Sequence, residues 1–215
     1  MAYDAVPVKL FILGSTGKTG RALVAQGLAR GHAITAFGRS ALLSDKTEVF
    51  RVVIGSPMHA DDLATALPGH DAVLSALGTR GLGATSVLVD SAGASMGAMQ
   101  RVGLRRLIVL SSSLVDSQSG WLSHLVARTL LRHTANDQRA MEKLITQSDL
   151  DWTILRPAML SDGVLTGRYA VTPASTAIPA SSAGMSREDV AHMMLDTVER
   201  GAYVKEIVWL RGVRA

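Results

Sequence analysis

Short runs that are apolar along most or all of their length alternate with longer stretches of helical period, and this alternation constrains the fold more than any other feature. Val8–Leu13, Ala33–Phe37, Glu48–Ile54, Ala72–Leu77, Arg106–Leu110, Trp152–Arg156 and Tyr203–Leu210 read as strands. Thr16–Arg30, Asp61–Leu67, Thr85–Val102, Trp121–Gln147 and Ser186–Arg200 read as helices, with a break expected near His133–Asn136. Strands without polar alternation are buried on both faces, as in a parallel sheet covered by its crossover helices. Right-handed crossovers then give an α/β fold, Rossmann-like and doubly wound, with a mostly parallel sheet and helices on both faces. Ser186-Arg-Glu-Asp189 has the layout of a capping box with Asp in the Glu place, so the last helix start is well marked. Leu160–Met185 is rich in Gly, Ser, Thr, Pro and Ala and is expected to be irregular, with a short strand at Arg168–Thr172.

A hydrophobic share of 47% in 215 residues supplies a full core and excludes wholesale disorder. No repeat or linker divides the chain, so a single domain over 1–215 is expected, with 111–150 and 158–186 on the substrate side. The charge excess, 22 − 18 = +4, suits a phosphate-bearing ligand and is too small to argue for nucleic acid. Cysteine is absent, which removes disulfides, thiolate nucleophiles and Cys-based metal sites. His32, His59, His70 and His192 have no second ligand at metal spacing, so no metal site is expected. The N-terminus lacks a signal-peptide layout, and no apolar run approaches the roughly 20 residues that span a bilayer. The expectation is a cytoplasmic protein without membrane contact, monomeric or homodimeric.

The strongest chemical signal is Gly14-Ser-Thr-Gly17-Lys-Thr-Gly20, which follows the first strand and opens the first helix. In that context Gly14 allows a tight turn, Gly17 lets backbone approach a pyrophosphate, and Gly20 lets the helix pack closely. The helix N-terminus then favours the anion. Gly17-Lys18-Thr19 also resembles the end of a nucleoside-triphosphate loop, but the required earlier glycine is Ile12. After the second strand, where NAD sites carry a carboxylate for the ribose, this chain has Gly38-Arg39-Ser40. Arg39 can pair with a 2′-phosphate, which points to NADP(H) ahead of NAD(H). After the fourth strand, Leu77-Gly78-Thr79-Arg80 faces the ligand crevice, with Gly78 permitting close approach and Arg80 able to add a phosphate contact.

These blocks, with Leu107-Ile-Val-Leu-Ser-Ser-Ser113, Asp151-Trp-Thr-Ile-Leu-Arg-Pro157, Leu165-Thr-Gly-x-Tyr169 and Ser186-Arg-Glu-Asp-Val190, resemble the atypical short-chain dehydrogenases with an NAD(P)H-binding domain. Within them the chain is most similar to the biliverdin-IXβ reductase/flavin reductase type. The resemblance spans roughly residues 8–210. It implies cofactor contacts at Gly14, Thr16, Gly17, Lys18, Thr19, Arg39, Leu77, Gly78, Thr79 and Pro157, and it sets Ser113 against the nicotinamide. It implies an NADPH-dependent reductase acting on flavins or other planar acceptors. Two departures stand out: Gln138 lies where the reductase type has a histidine, and Ser56 where relatives often have Asp near the adenine.

The chain's tyrosines are Tyr3, Tyr169 and Tyr203, and none begins a Tyr-x-x-x-Lys. Alcohol–ketone chemistry therefore lacks its usual proton donor, a group worth roughly 3–5 kcal/mol of barrier. Hydride transfer to a flavin, quinone or similar conjugated acceptor is less demanding, because the ring delocalises charge and water can supply the proton. Ser113 and Gln138 are the candidate catalytic residues. A helical face with His124, Arg128 and Arg132 could hold an acidic substrate. A non-catalytic NADP-binding redox sensor, or an atypical NAD(P)-dependent epimerase or isomerase, are the alternative readings.

Overall fold

The computed structural model describes residues 6–40, 47–79, 81, 83–115, 131–175 and 184–213. Its main sheet has eight strands in the order β3-β2-β1-β4-β5-β6-β10-β8. In chain order these are β1 (Lys9–Leu13), β2 (Ala33–Gly38), β3 (Phe50–Ile54), β4 (Ala72–Ser75), β5 (Arg106–Leu110), β6 (Asp151–Pro157), β8 (Tyr169–Pro173) and β10 (Glu206–Gly212). Every pairing is parallel except β10 with the edge strand β8. β7 (Leu160–Ser161) and β9 (Met185–Ser186) form a separate parallel pair. The helices are α1 (Lys18–Ala29), α2 (Ala60–Ala66), α3 (Val87–Val102), α4 (Arg132–Thr146) and α5 (Arg187–Glu199), and Ser113–Val115 forms a 3₁₀ turn. Strand order reverses between β1 and β4, which opens a crevice at the carboxyl edge of the sheet.

The period-2 geometry of the strands splits the core in two. Leu10 and Ile12 of β1 face a core shared with α1 and α5; Phe11 and Leu13 face one shared with α2, α3 and α4. All four are essentially inaccessible, which is why these strands carry no polar face. α1 and α5 lie side by side, joined at one point by Gln26, whose amide donates to the Glu188 carbonyl and carboxylate.

The expected elements are present with shifted ends. β4 stops at Ser75, and β10 begins at Glu206 after Tyr203 and Lys205, both in the left-handed region at φ 56° and 59°. The break expected near His133–Asn136 falls slightly earlier: α4 begins at Arg132 behind the non-helical Leu131 (φ −107°, ψ 10°), His133–Asn136 form its first turns, and it runs unbroken to Thr146. The segment contains no Gly or Pro, and its inward face of Ala135, Gln138, Met141, Glu142 and Ile145 is buried continuously. The part of the expected helix before Leu131, with His124 and Arg128, lies outside the described residues, as does Arg80.

Candidate functional site: a dinucleotide crevice

The glycine loop turns between β1 and α1. Gly14 has φ +77°, and a Cβ there would sit 2.7 Å from the Ala76 carbonyl, against the chain leaving β4. The turn closes with the Gly17 N–H donating to the Gly14 carbonyl at 3.0 Å. At Gly20 a Cβ would lie 2.1 Å from the Gly14 oxygen, so the third glycine serves the packing of α1 on the loop itself. Gly17 occupies the N-cap and provides no side-chain acceptor, leaving first-turn N–H groups directed at the crevice. Thr16 is half-buried, Thr19 buried and Lys18 exposed. This backbone fits a pyrophosphate.

At the end of β2, Arg39 and Ser40 are exposed, and a Cβ on Gly38 would meet nothing within 4 Å. Past β4, Gly78 likewise borders open space. Leu77 packs on the core below, while the Thr79 hydroxyl lies 3.0 Å from that of Thr134 at the start of α4.

β5 ends in three serines that differ sharply. Ser111 is buried, its N–H donates to the Leu155 carbonyl, and its hydroxyl has no partner among the described residues. The Ser112 hydroxyl donates to Gln138 Oε1 at 2.7 Å. Ser113 is half-buried at the mouth of the 3₁₀ turn. Pro157 is buried at the end of β6, paired with Leu210.

The neighbours of Gln138 on α4 tie the helix to other elements. One turn on, Glu142 accepts from Arg156 of β6 in a buried two-point ion pair, and the Arg156 guanidinium lies 4.8 Å from the Trp209 ring centroid. One residue before, the buried Asp137 carboxylate accepts from the N–H groups of Leu88 (3.1 Å) and Val89 (3.0 Å) and from the Thr85 hydroxyl. It therefore caps α3 from another helix, doing what the N-cap Ser86 does not. Sequence reasoning missed Asp137 and Thr134, because their partners lie about 50 residues away.

The segment after β6 closes the crevice near α1. Asp162 pairs with both Lys18 and Arg187. The Lys18 hydrogen bond, opposed only in part by desolvation and assisted by Arg187, holds its carboxyl below the ordinary carboxylate value. Asp189 is pushed up by burial. The Ser186 hydroxyl, the Thr166 N–H and hydroxyl and the Gly167 N–H outweigh this and hold it low. The Asp189 N–H in turn donates to Ser186, completing the expected cap.

The remaining ionisable groups are engaged elsewhere. Burial, with Asp196 and Asp189 nearby, pushes the Tyr169 phenol well above its ordinary value; its hydroxyl lies 2.8 Å from His192 Nδ1. His32 contacts Glu199, and His70 contacts Thr35 and the Leu67 carbonyl. A cavity of about 260 Å³ bordered by Lys9, Thr35, Arg51 and His70 lies at the opposite, amino edge of the sheet, beyond the short α2.

The NAD(P)H-binding family matches residues 14–200, from the first loop glycine to the end of α5. The chain belongs to that NAD(P)H-binding family. A chloroplastic protein of Arabidopsis thaliana, At2g34460, described as uncharacterized, is 30% identical over 216 residues, 93% of this chain and 76% of its own. Among solved structures, a short-chain dehydrogenase/reductase of Veillonella parvula in complex with NADP superposes with a TM-score of 0.81 at 20% identity, covering 96% of this chain and 95% of that one. ChuY, an anaerobillin reductase of Escherichia coli O157:H7, gives 0.76 at 19%, covering 96% and 98%. At these identities the structural likeness establishes the Rossmann fold. Among the described residues of this NAD(P)H-binding protein, no helix is long and apolar enough to cross a membrane.

Proposed function

We propose that this NAD(P)H-binding protein is an NADPH-dependent reductase that passes hydride to a flavin, quinone or similar conjugated acceptor. The observation that carries the reading is the composition of the crevice floor. The described residues at and after the ends of β4 and β5, Ser75–Thr79 and Ser111–Val115, are serines, threonine, glycine and apolar residues, with Gln138 as a partner to Ser112 and no titratable group among them. Such a floor can orient a ring and exclude water; it does not supply the acid that ketone reduction needs. Tyr169 does not fill that role, since its phenol is pushed up and directed at His192.

In this reading Gly14, Thr16, Gly17, Lys18 and Thr19 hold the pyrophosphate, with Gly20 keeping α1 close enough to do so. Arg39 would read the 2′-phosphate, because it is exposed and, among the described residues, has no partner, and the sequence Gly38-Arg39-Ser40 carries no carboxylate. Leu77, Gly78, Thr79 and Pro157 line the path toward the nicotinamide. The cofactor supplies the hydride. Ser113 would hydrogen-bond the carboxamide or an acceptor oxygen, and Gln138, whose Oε1 accepts from Ser112, would offer its amide N–H groups on the acceptor side. The proton comes from solvent. The complex of the Veillonella protein with NADP and the reductase activity named for ChuY support this reading.

The deciding experiment follows NADPH oxidation at 340 nm with FMN, riboflavin and a simple quinone as separate acceptors. Steady turnover of order 1 s⁻¹ with one of them is expected. Tight NADPH binding without turnover on any would overturn the reductase in favour of an NADP-occupied sensor.

A further inference from the structure

The phosphate loop faces a second cation that the glycine motif does not contain. β7 and β9 pair in parallel, with Leu160 opposite Met185 and Ser161 opposite Ser186. Continuing that register by one residue sets Asp162 beside Arg187, and Arg187 Nη1 donates to Asp162 Oδ1. The other oxygen, Oδ2, accepts from Lys18 Nζ, 144 residues away in sequence and in the first turn of α1. One carboxylate therefore holds two cations together, one of them in the first turn of α1, whose N–H groups have no side-chain cap. Without an anion between them, Lys18 and Arg187 would repel each other.

We propose that Arg187 is a further ligand for the pyrophosphate, and that Asp162 is a resident anion which holds Lys18 and Arg187 in the free protein and yields both when the cofactor binds. The inference rests on the crevice being the cofactor site. The exchange is favourable for three reasons. Lys18 and Asp162 are both well exposed, and ion pairs of that kind are held weakly. A pyrophosphate brings two negative charges against the one of Asp162. It can also accept from the first-turn N–H groups of α1, whereas the donors to Asp162 among the described residues are the side chains of Lys18 and Arg187. Asp162 thus keeps the site from being permanently overcharged and sets how tightly the cofactor is held.

The test is a titration of the full chain with NADPH and separately with NADH, for the wild type, Asp162→Asn and Arg187→Gln, with thermal melts confirming that each variant is folded. Asp162→Asn is expected to lower Kd about tenfold for both cofactors alike, because the pyrophosphate is common to them. Arg187→Gln is expected to raise both by about the same factor, and both effects should shrink at 0.5 M salt, a test concentration at which screening is strong. Unchanged or weaker binding in folded Asp162→Asn would make Asp162 a strut and overturn the inference, leaving the cofactor site intact. A wild type that binds neither cofactor would overturn the site reading, and this inference with it.

Discussion

The two walls of the crevice are built on different physical terms. The wall made by β1, the glycine loop and α1 comes from one contiguous stretch, and backbone sterics shape it: φ +77° at Gly14 and virtual contacts of 2.7 Å and 2.1 Å at Gly14 and Gly20. The facing wall takes Thr79 from behind β4, Ser111–Ser113 from β5, and Thr134, Asp137 and Gln138 from α4. Side-chain hydrogen bonds across long sequence separations hold it together. The first wall is rigid because nothing larger than hydrogen fits. The second is held by the pairs Thr79–Thr134, Ser112–Gln138 and Asp137 with the α3 N–H groups, whose loss would leave polar groups without partners. A chain can keep the first wall as a general cofactor cradle and change its chemistry through the second.

The largest test of this contrast is Gly20→Ala. The added methyl has no space against Gly14, and overpacking of this severity costs about 3 kcal/mol, or roughly 6–12 °C of Tm for a domain of this size. NADPH binding should be lost with it, and calorimetry together with a thermal melt reads both. Asp137→Ala breaks the opposite wall. Two N–H groups at the start of α3 lose their acceptor, at a cost of about 2–3 kcal/mol in urea denaturation. Asp137→Asn, which keeps one acceptor oxygen, should lose about half of that.

On the cofactor side, past β2, Arg39→Asp should leave the fold untouched and raise Kd for NADPH by roughly 30- to 100-fold, with little change for NADH. An unchanged preference would remove Arg39 from the 2′-phosphate. Within the second wall, Gln138→Leu should lower turnover about tenfold with NADPH affinity unchanged, which separates the acceptor side from the cofactor side. The smallest effect is electrostatic. The Asp189 carboxyl is held below its ordinary value near 4, so its contribution to stability is fully present above that pH. It is lost as pH falls through the depressed value. Asp189→Asn should therefore flatten the acid limb of the stability profile below about pH 4 and lower the plateau above it.

Much of this molecule was legible in one dimension. The strands that build the main sheet announce themselves because burial on both faces demands unbroken apolar runs. The short edge strand was foreseen within a residue, at Arg168–Thr172 against the observed Tyr169–Pro173. The Ser186 cap was legible because its partner is three residues away. The break expected near His133–Asn136 lies a little earlier, at the Leu131 cap of α4, for an equally physical reason. Those polar residues look like a loop in isolation, yet the adjacent Asp137 is held inward by the α3 N-terminus, and His133–Asn136 are taken into the first turns of α4.

Local sterics and hydrophobic period belong to the chain itself, so the doubly wound sheet, the glycine loop and the position of Arg39 followed from residue order. Which hydroxyl near the crevice has a partner did not. Ser111, Ser112 and Ser113 are chemically identical neighbours, and only α4 packing over β5 binds the second, buries the first unpaired and leaves the third half-buried at the mouth of the 3₁₀ turn. The same holds for the carboxylate shared by Lys18 and Arg187. Charge pairing reaches a few ångströms, and only folding brings residues 18, 162 and 187 within that range.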